Sequence, residues 1–266
     1  MDETPLQKRP SIWVYLIIAI LLTIIGLSLA PSGLLGKADA IGYAVCHQID
    51  ERSFHMGDRT FPLCARCSGL FLGALLGMLF QIAQGRKGKM PPLPALILFG
   101  LMALAWAVDG LNSFTMLVPR LPSLYQTQNW TRLLTGTGLG LAVAAILWPS
   151  FLQTTFKVWE DQPALGTWKQ IAALIAMAAV LDILLLLEIP WVLLPMAFLA
   201  TGAVVGLLTM VYCMVIVLIT KKENTYANFK PLMVPLIGGY ILALLQIGGI
   251  DLLRYLLTGT WDGFSL

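Results

Sequence analysis

Seven long apolar runs constrain what this chain can fold into. They cover roughly residues 12–31, 66–84, 93–111, 132–149, 170–188, 191–219 and 232–257. A helix needs about 20 mostly apolar residues to cross the hydrocarbon core of a bilayer, and these runs are near that length or longer. In hydrocarbon the backbone must satisfy its own N–H and C=O groups, so only helices and closed barrels span membranes. Continuous apolar runs of this length suit helices, because barrel strands are about 9–11 residues long and alternate in polarity. Composition agrees: 58% of the 266 residues are hydrophobic and only 12% are charged, against about 25% in a soluble domain. The expected fold is an all-α integral membrane protein, a single bundle of about seven transmembrane helices over residues 1–266. The lipid bilayer is its first partner. A net charge of +3 is too small to argue for nucleic acid, and the basic residues fall in short runs between apolar segments, as membrane topology places them.

Details within the runs carry further expectations. The first begins after Lys8 and Arg9 and precedes an Ala38-Asp39-Ala40 triplet, the ingredients of a cleavable leader. Its apolar stretch exceeds the ~7–15 residues of a leader and the triplet lies well beyond it, so a retained span is expected. The sixth run starts with Pro190 and Pro195, which predicts a bend or a re-entrant start. The second carries Gly69, Gly73 and Gly77, a ridge that lets another helix approach closely.

Orientation follows from the basic residues. With the N-terminus inside, the inner segments hold Lys8, Arg9, Arg86, Lys87, Lys89, Lys157, Lys169, Lys221, Lys222 and Lys230, ten of the 17 Lys and Arg. The blocks Arg86-Lys87-Lys89 and Lys221-Lys222 lie in short loops and obey the positive-inside rule. The expected location is a bacterial plasma membrane with the N-terminus cytoplasmic and the C-terminus outside. Asp109, Arg132, Asp182, Glu188, Asp251 and Arg254 then fall in the outer half of the bundle. Charge in hydrocarbon usually faces a cavity or a partner, so one polar pocket opening outward is expected.

The chemistry gathers between the first two spans. The chain reads Cys46-His47-Gln48, Arg52-Ser53-Phe54, and Pro62-Leu63-Cys64-Ala65-Arg66-Cys67-Ser68-Gly69, so three of its four cysteines lie within 22 residues. Cys64 and Cys67 open the second span, where the helix dipole and Arg66 favour thiolate. Thiolate is both the metal ligand and the nucleophile of disulfide exchange, so three readings stay open. In the first, Cys46, His47, Cys64 and Cys67 form a Cys₃His set, a common zinc composition. Adjacent Cys46 and His47 rarely ligate one ion comfortably, which would make His47 an outer partner or bring in His55. In the second, Cys64 and Cys67 exchange as a redox pair with Cys46 resolving, or one disulfide staples the loop. In the third, the cysteines merely pack. On the outer side of a membrane thiols tend to be oxidised or metal-bound.

The third run ends at Asp109-Gly110 and the fourth opens with Asn129-Trp130-Thr131-Arg132. Their outer ends meet across a loop, so an Asp109–Arg132 pair is expected, either as a neutralising salt bridge or as part of a site. In the functional version Arg132, with Arg52, Arg66 and Asn129, clamps a phosphate or carboxylate group, because guanidinium matches oxyanions bidentately. Asp251 and Arg254 stand three apart and are expected to pair on one helix face.

These residues resemble a known family. The run Cys46-His47-Gln48, Arg52-Ser53-Phe54, Gly57, Pro62-Leu63-Cys64-Ala65-Arg66-Cys67-Ser68-Gly69 and Gly73, followed by Asp109-Gly110, Asn129, Arg132, Thr135-Gly136 and Gly140, is similar to the predicted-membrane-protein family catalogued as domain of unknown function 2085. The resemblance covers roughly residues 42–148, and residues 150–266 add three spans. It implies a membrane location and a Cys/His/Arg/Asp site, and it implies no activity.

The leading functional expectation is a zinc site at the outer membrane interface that staples the loop or acts on a lipid-like or anionic small molecule. As an enzyme, zinc would polarise the substrate or its bound water, Arg132 would hold the anion, and His47 or Asp109 would move the proton. The rivals are a membrane thiol–disulfide oxidoreductase, a transporter or lipid-handling protein with structural cysteines, and an accessory subunit of a membrane complex. The sequence sets no oligomeric state.

Overall fold

Among the described residues, seven helices of the computed structural model are long and apolar enough to cross a membrane. The structure describes residues 12–116 and 122–263. Lys8, Arg9 and Arg120 lie outside the described residues. The spans are α1 (Ile12–Leu29), α3 (Ala65–Ala83), α4 (Leu93–Thr115), α5 (Asn129–Thr155), α6 (Trp168–Leu186), α7 (Pro190–Ile219) and α8 (Phe229–Thr258). Each lies within a few residues of its hydropathic run. Their ends are set by local chemistry. Gln128 and Thr131 form a reciprocal capping box at the start of α5, and Thr167 and Gln170 form another on α6, satisfying N–H groups that have no partner within the helix. The Asn228 side chain accepts the Lys230 N–H at 3.1 Å, and α8 stops at Gly259 in the left-handed region, φ 72°.

Two elements between the first two spans were not legible as such. A further helix, α2 (Gly33–Val45), and an antiparallel hairpin of β1 (Ser53–Met56) and β2 (Arg59–Cys64) fill the connection. At 13 residues, α2 is about 20 Å long and too short to cross the hydrocarbon. It packs against α7, α8 and β2 instead. The sixth span has no re-entrant start. Pro190 opens α7, where a missing N–H costs no hydrogen bond, and the helix runs through Pro195 to Ile219 without a re-entrant break. On the face opposite the cysteines, β3 (Lys87–Lys89) and β4 (Glu160–Pro163) pair in parallel and tie the α3–α4 and α5–α6 connections together.

The tightest packing in the bundle runs between α3 and α5. A Cβ added to Gly73 would sit 2.8 Å from the Thr137 carbonyl oxygen, and one on Gly77 would sit 2.7 Å from the Ala144 Cβ. The ridge on α3 is met by a second one on α5: a Cβ on Gly140 would fall 2.6 Å from the Ala74 amide nitrogen. The two backbones therefore touch, as small residues at helix crossings allow. By contrast α1 is a peripheral span. Only Ala19 of it is buried, and its contacts go chiefly to α8.

The glycine seam makes a direct prediction. Gly73→Val forces the α3 and α5 backbones apart and should destabilise the bundle by about 1–3 kcal/mol or more. Gly100→Ala on α4, whose added Cβ meets nothing within 4 Å, should leave stability unchanged or slightly improved. Thermal unfolding of the two purified variants in one detergent checks both.

Candidate functional site

Local backbone chemistry brings distant cysteines together. α2 ends at Cys46, whose N–H still bonds the Gly42 carbonyl at 2.8 Å. Gln48 then adopts a left-handed conformation, φ 51°, and turns the chain back. Its side-chain amide donates to the carbonyls of Asp39 at 3.0 Å and Pro62 at 2.9 Å, fastening this turn to both α2 and β2. The hairpin turns at Gly57, φ 67°, and its register places Ser53 opposite Cys64. Cys64 thus arrives as the residue capping α3, with Arg66 and Cys67 in the first turn.

The result is a compact sulfur cluster. Ligand atoms of Cys46, His47 and Cys64 lie within 4.8 Å of one another. Cys67 lies outside that trio, in the first turn of α3. All three cysteines are free thiols. The amide N–H groups of Gln48 and Cys64 point at the Cys46 sulfur at 3.5 and 3.2 Å. Charge concentrates on one sulfur. Hydrogen bonds from the Cys46 thiol, then from Cys67, hold Cys64 well below the ordinary thiol range, and His47 adds to the effect. The same bond to Cys64 pushes Cys46 up to about 12.

The donor chemistry fits a thiophilic metal. Three sulfurs and an imidazole are a common zinc set, and a bound ion would take the place of the shared thiol protons. The close trio is two sulfurs and the imidazole. His47 Nδ1 accepts the Ile49 N–H at 3.0 Å, so ligation through that atom displaces an amide, and ligation through Nε2 needs a proton on Nδ1 facing that amide. His55 does not replace it: its Nε2 sits 3.2 Å from Asp50 Oδ1, in a half-exposed pair.

Beside the sulfurs stands an arginine cluster. The expected Asp109–Arg132 pair does not form. Asp109, 1% exposed, is instead the ion partner of Arg66, whose guanidinium bonds Oδ2 and also the Asp109 carbonyl at 3.2 Å. Tyr125 donates its hydroxyl to Asp109 Oδ1 at 2.6 Å, and Thr135 donates to Oδ2 at 3.4 Å. Arg132 bonds Asn129 Oδ1 at 2.9 Å and Thr127 Oγ1 at 2.6 Å. The reason is helix phase: Arg66 at the start of α3 lies across the glycine seam from Gly136, whose added Cβ would strike the Arg66 backbone, and so reaches Asp109 first. Arg52 donates to the Ser113 hydroxyl at 3.2 Å and its carbonyl at 3.3 Å, while Asn129 donates to the Ser53 carbonyl at 3.2 Å.

The cluster concentrates positive charge. Arg52 is held below the ordinary guanidinium value by burial and by the charge of Arg66, against the attraction of Cys64 and Glu51. Arg132 lies in the field of both other arginines. The Nε atoms of Arg66 and Arg132 are buried with no hydrogen-bond partner. Burial, and then the hydrogen bond to Asp109, push the Tyr125 hydroxyl up to about 12, so it stays a donor.

Of the remaining charges, Asp182 and Glu188 stand apart from this site and Arg254 joins it through backbone carbonyls. Asp182 accepts from the Thr137 hydroxyl at 2.6 Å beside a separate apolar cavity. Glu188 accepts the His55 N–H at 2.8 Å. Arg254 does not turn to Asp251 but donates to the carbonyls of Tyr43 and Cys46 at 2.7 and 2.6 Å and of His47 at 3.3 Å, with its guanidinium 3.8 Å above the Tyr43 ring. The outward pocket expected to hold all six ionisable groups is therefore divided. Tyr125, Ser113 and Arg254 are contributors that spacing alone did not assign. Tyr125 and Ser113 carry no motif, and Arg254 stands more than 200 residues from the carbonyls it bonds.

The comparisons with known proteins fall on the same stretch. The family model described as "Predicted membrane protein (DUF2085)" matches residues 46–146. An uncharacterized protein of Methanothermobacter thermautotrophicus is 32% identical over 101 residues, which is 37% of this chain and 82% of that protein. An uncharacterized protein of Methanocaldococcus jannaschii is 29% identical over 123 residues, 46% of this chain and 72% of that protein. The chain belongs to this family of predicted membrane proteins. Both relatives are archaeal, so they lend no support to the bacterial membrane expected from sequence. No solved structure matches the chain.

The buried ion pair generates a prediction. Arg66→Leu leaves the Asp109 carboxylate without its cation and should cost about 3–5 kcal/mol, and adding Asp109→Asn should recover much of that loss. Chemical unfolding of the single and double variants in detergent micelles measures both.

Proposed function

We propose that this protein is a membrane metalloprotein. In this reading Cys46, Cys64 and Cys67 hold a zinc ion with His47 as the fourth donor, and Arg52, Arg66, Arg132 and Asn129 bind an anionic group of the kind carried by lipid headgroups. The observation that carries the metal part is the meeting of three free thiols with one stabilised thiolate. What supports the anion part is the convergence of three guanidiniums, two of them with a buried, unpartnered Nε atom. With all four donors bound the zinc would be a closed, structural ion that holds the loop beside the anion site. Arg132 and Arg52 orient the anion. Asp109 is poorly suited to moving a proton, because Arg66, Tyr125 and Thr135 hold both its oxygens. The site faces the outside of the cell, with the basic loops of α3–α4 and α7–α8 inside.

A second reading rests on a separate observation. A depressed Cys64 thiol one turn from Cys67, with Cys46 in contact, is also the arrangement of a thiol–disulfide exchange centre.

One sample separates the two. Metal content by mass spectrometry, with free thiols counted on the same detergent-purified protein, should give about one zinc per chain, lost in Cys64→Ser. No metal together with only two free thiols of the four cysteines would overturn the zinc reading in favour of exchange. For the anion part, Arg132→Gln should weaken retention of phosphatidic acid from mixed vesicles by about tenfold while leaving the zinc content unchanged. Equal retention by the parent and the variant would refute the arginine clamp.

A further inference from the structure

A cleft runs between α4 and α6, with α5 as its floor. Both helices pack on α5, and the space between them holds a cavity of about 230 Å³. At the end remote from the cysteines it is closed by the packed cluster of Phe99, Leu141, Leu174 and Ala178. Along one side its rim is Ala105, Leu134, Ile175 and Ala179, all exposed, so it opens sideways to the hydrocarbon. Its volume exceeds the roughly 150 Å³ that holds a benzene ring, which admits one ring or a short chain segment.

Three polar side chains line this cavity, and two are already satisfied. Thr135 donates its hydroxyl to the Thr131 carbonyl at 2.8 Å, and Thr137 donates to Asp182 Oδ1 at 2.6 Å. Asp182 itself is 7% exposed. Its Oδ2 has no hydrogen-bond partner and, unlike the sealed Oδ1 of Asp251, keeps accessible surface on the cavity. No lysine, arginine or histidine lines the cavity, and Asp182 joins no ion pair among the described residues. Charges on the neighbouring helices are engaged elsewhere. Asp109 on α4 is held by Arg66 and Tyr125, and Arg132 on α5 bonds Asn129 and Thr127. A membrane-embedded carboxyl usually has a partner, and one without marks a site.

The chemistry of a carboxyl selects the ligand. An amine pairs with it in either protonation state. A neutral amine arriving from the bilayer takes the proton of the carboxylic acid, so that O–H and N become O⁻ and H–N⁺. An ammonium arriving at a carboxylate forms the same pair. An ordinary amine keeps its proton to a pH about six units above that of an ordinary carboxyl, which drives the transfer toward nitrogen. The resulting hydrogen bond is charge-assisted, the strong kind, and the Thr137 hydroxyl supports the anion from Oδ1. An alcohol can donate to Oδ2 but lacks this acid–base drive, and a hydrocarbon makes no bond. Depth agrees. Asp182 precedes the end of α6 at Leu186 by about 6 Å, where an amphiphile can place its amine while its chain stays in the hydrocarbon.

We propose that the α4–α5–α6 cavity binds a lipophilic amine, whose nitrogen pairs with Asp182 Oδ2 and whose apolar part lies in the cleft. The site is separate from the sulfur–arginine cluster and does not depend on its reading.

Three photoreactive probes test this on the full chain in phosphatidylcholine nanodiscs: dodecylamine, dodecanol and dodecyl methyl ether, each carrying a diazirine at the same chain carbon. Labelled peptides are mapped by mass spectrometry. Labelling of segments 102–105 and 175–182 is divided by labelling of α1, a span with only Ala19 buried, which cancels differences in partitioning. On that scale the amine should exceed the ether about tenfold, the size of one hydrogen bond to a charged group, with the alcohol between them. Asp182→Asn keeps the shape and an acceptor for Thr137, and should remove the advantage of the amine over the alcohol. Ala105→Phe fills the cavity from its exposed rim and should bring all three probes down to the α1 level. The proposal is overturned if the amine labels the cavity of the parent no more than the alcohol or the ether does, if its advantage survives Asp182→Asn, or if Ala105→Phe leaves the cavity labelling unchanged.

Discussion

The backbone contact between α3 and α5 is the constraint on which the sulfur–arginine cluster depends. Gly69, Gly73, Gly136 and Gly140 remove the side chains that would otherwise separate the helices. At this distance the first turn of α3 and the first turns of α5 become one surface. Cys64, Arg66 and Cys67 come from one helix and Arg132 and Thr135 from the other. A wider crossing would leave Arg66 short of Asp109 and would open the arginine cluster to water or lipid. In a bilayer, where no hydrophobic drive pushes helices together, such small-residue packing is what holds them.

The sulfur and arginine groups then act on each other. A thiolate on Cys64 is stabilised by thiol donors and by guanidinium charge, and in turn it favours the charged form of Arg52. Buried charges are costly alone and tolerable as a network. Asp109 with Arg66 forms the neutral pivot of that network. The appended helices contribute as well. Arg254 of α8 fixes the carbonyls of Cys46 and His47, so the segment beyond the family match holds the backbone of the sulfur knuckle.

The two glycine-bearing interfaces illustrate why residue type alone is ambiguous. On α3 and α5, missing side chains are replaced by a neighbouring backbone. On α1 and α8, Gly26 and Gly248 face empty space. Sequence spacing pointed to the first as a packing ridge, since Gly69, Gly73 and Gly77 recur every four residues. It offered no such pattern for the second, and only the interhelical distance tells a filled notch from an open one.

Much of the fold was legible from hydropathy, because the cost of unpaired backbone in hydrocarbon makes each apolar run a helix regardless of its neighbours. The seven spans follow from such local rules, and the meeting of Cys46, His47 and Cys64 was legible from their closeness in the chain. Elements whose form depends on partners were not legible: α2 is amphipathic enough to pack and too short to span, and the β1–β2 hairpin is defined by its register. Tertiary structure alone decided that Asp109 pairs with Arg66 rather than Arg132, that Arg254 turns to the knuckle rather than to Asp251, and that His47 spends Nδ1 on a backbone amide. These outcomes depend on the rotation and separation of helices. Hydropathy is a property of single residues and carries no information about helix phase; an ion pair forms only when phase and distance are both met.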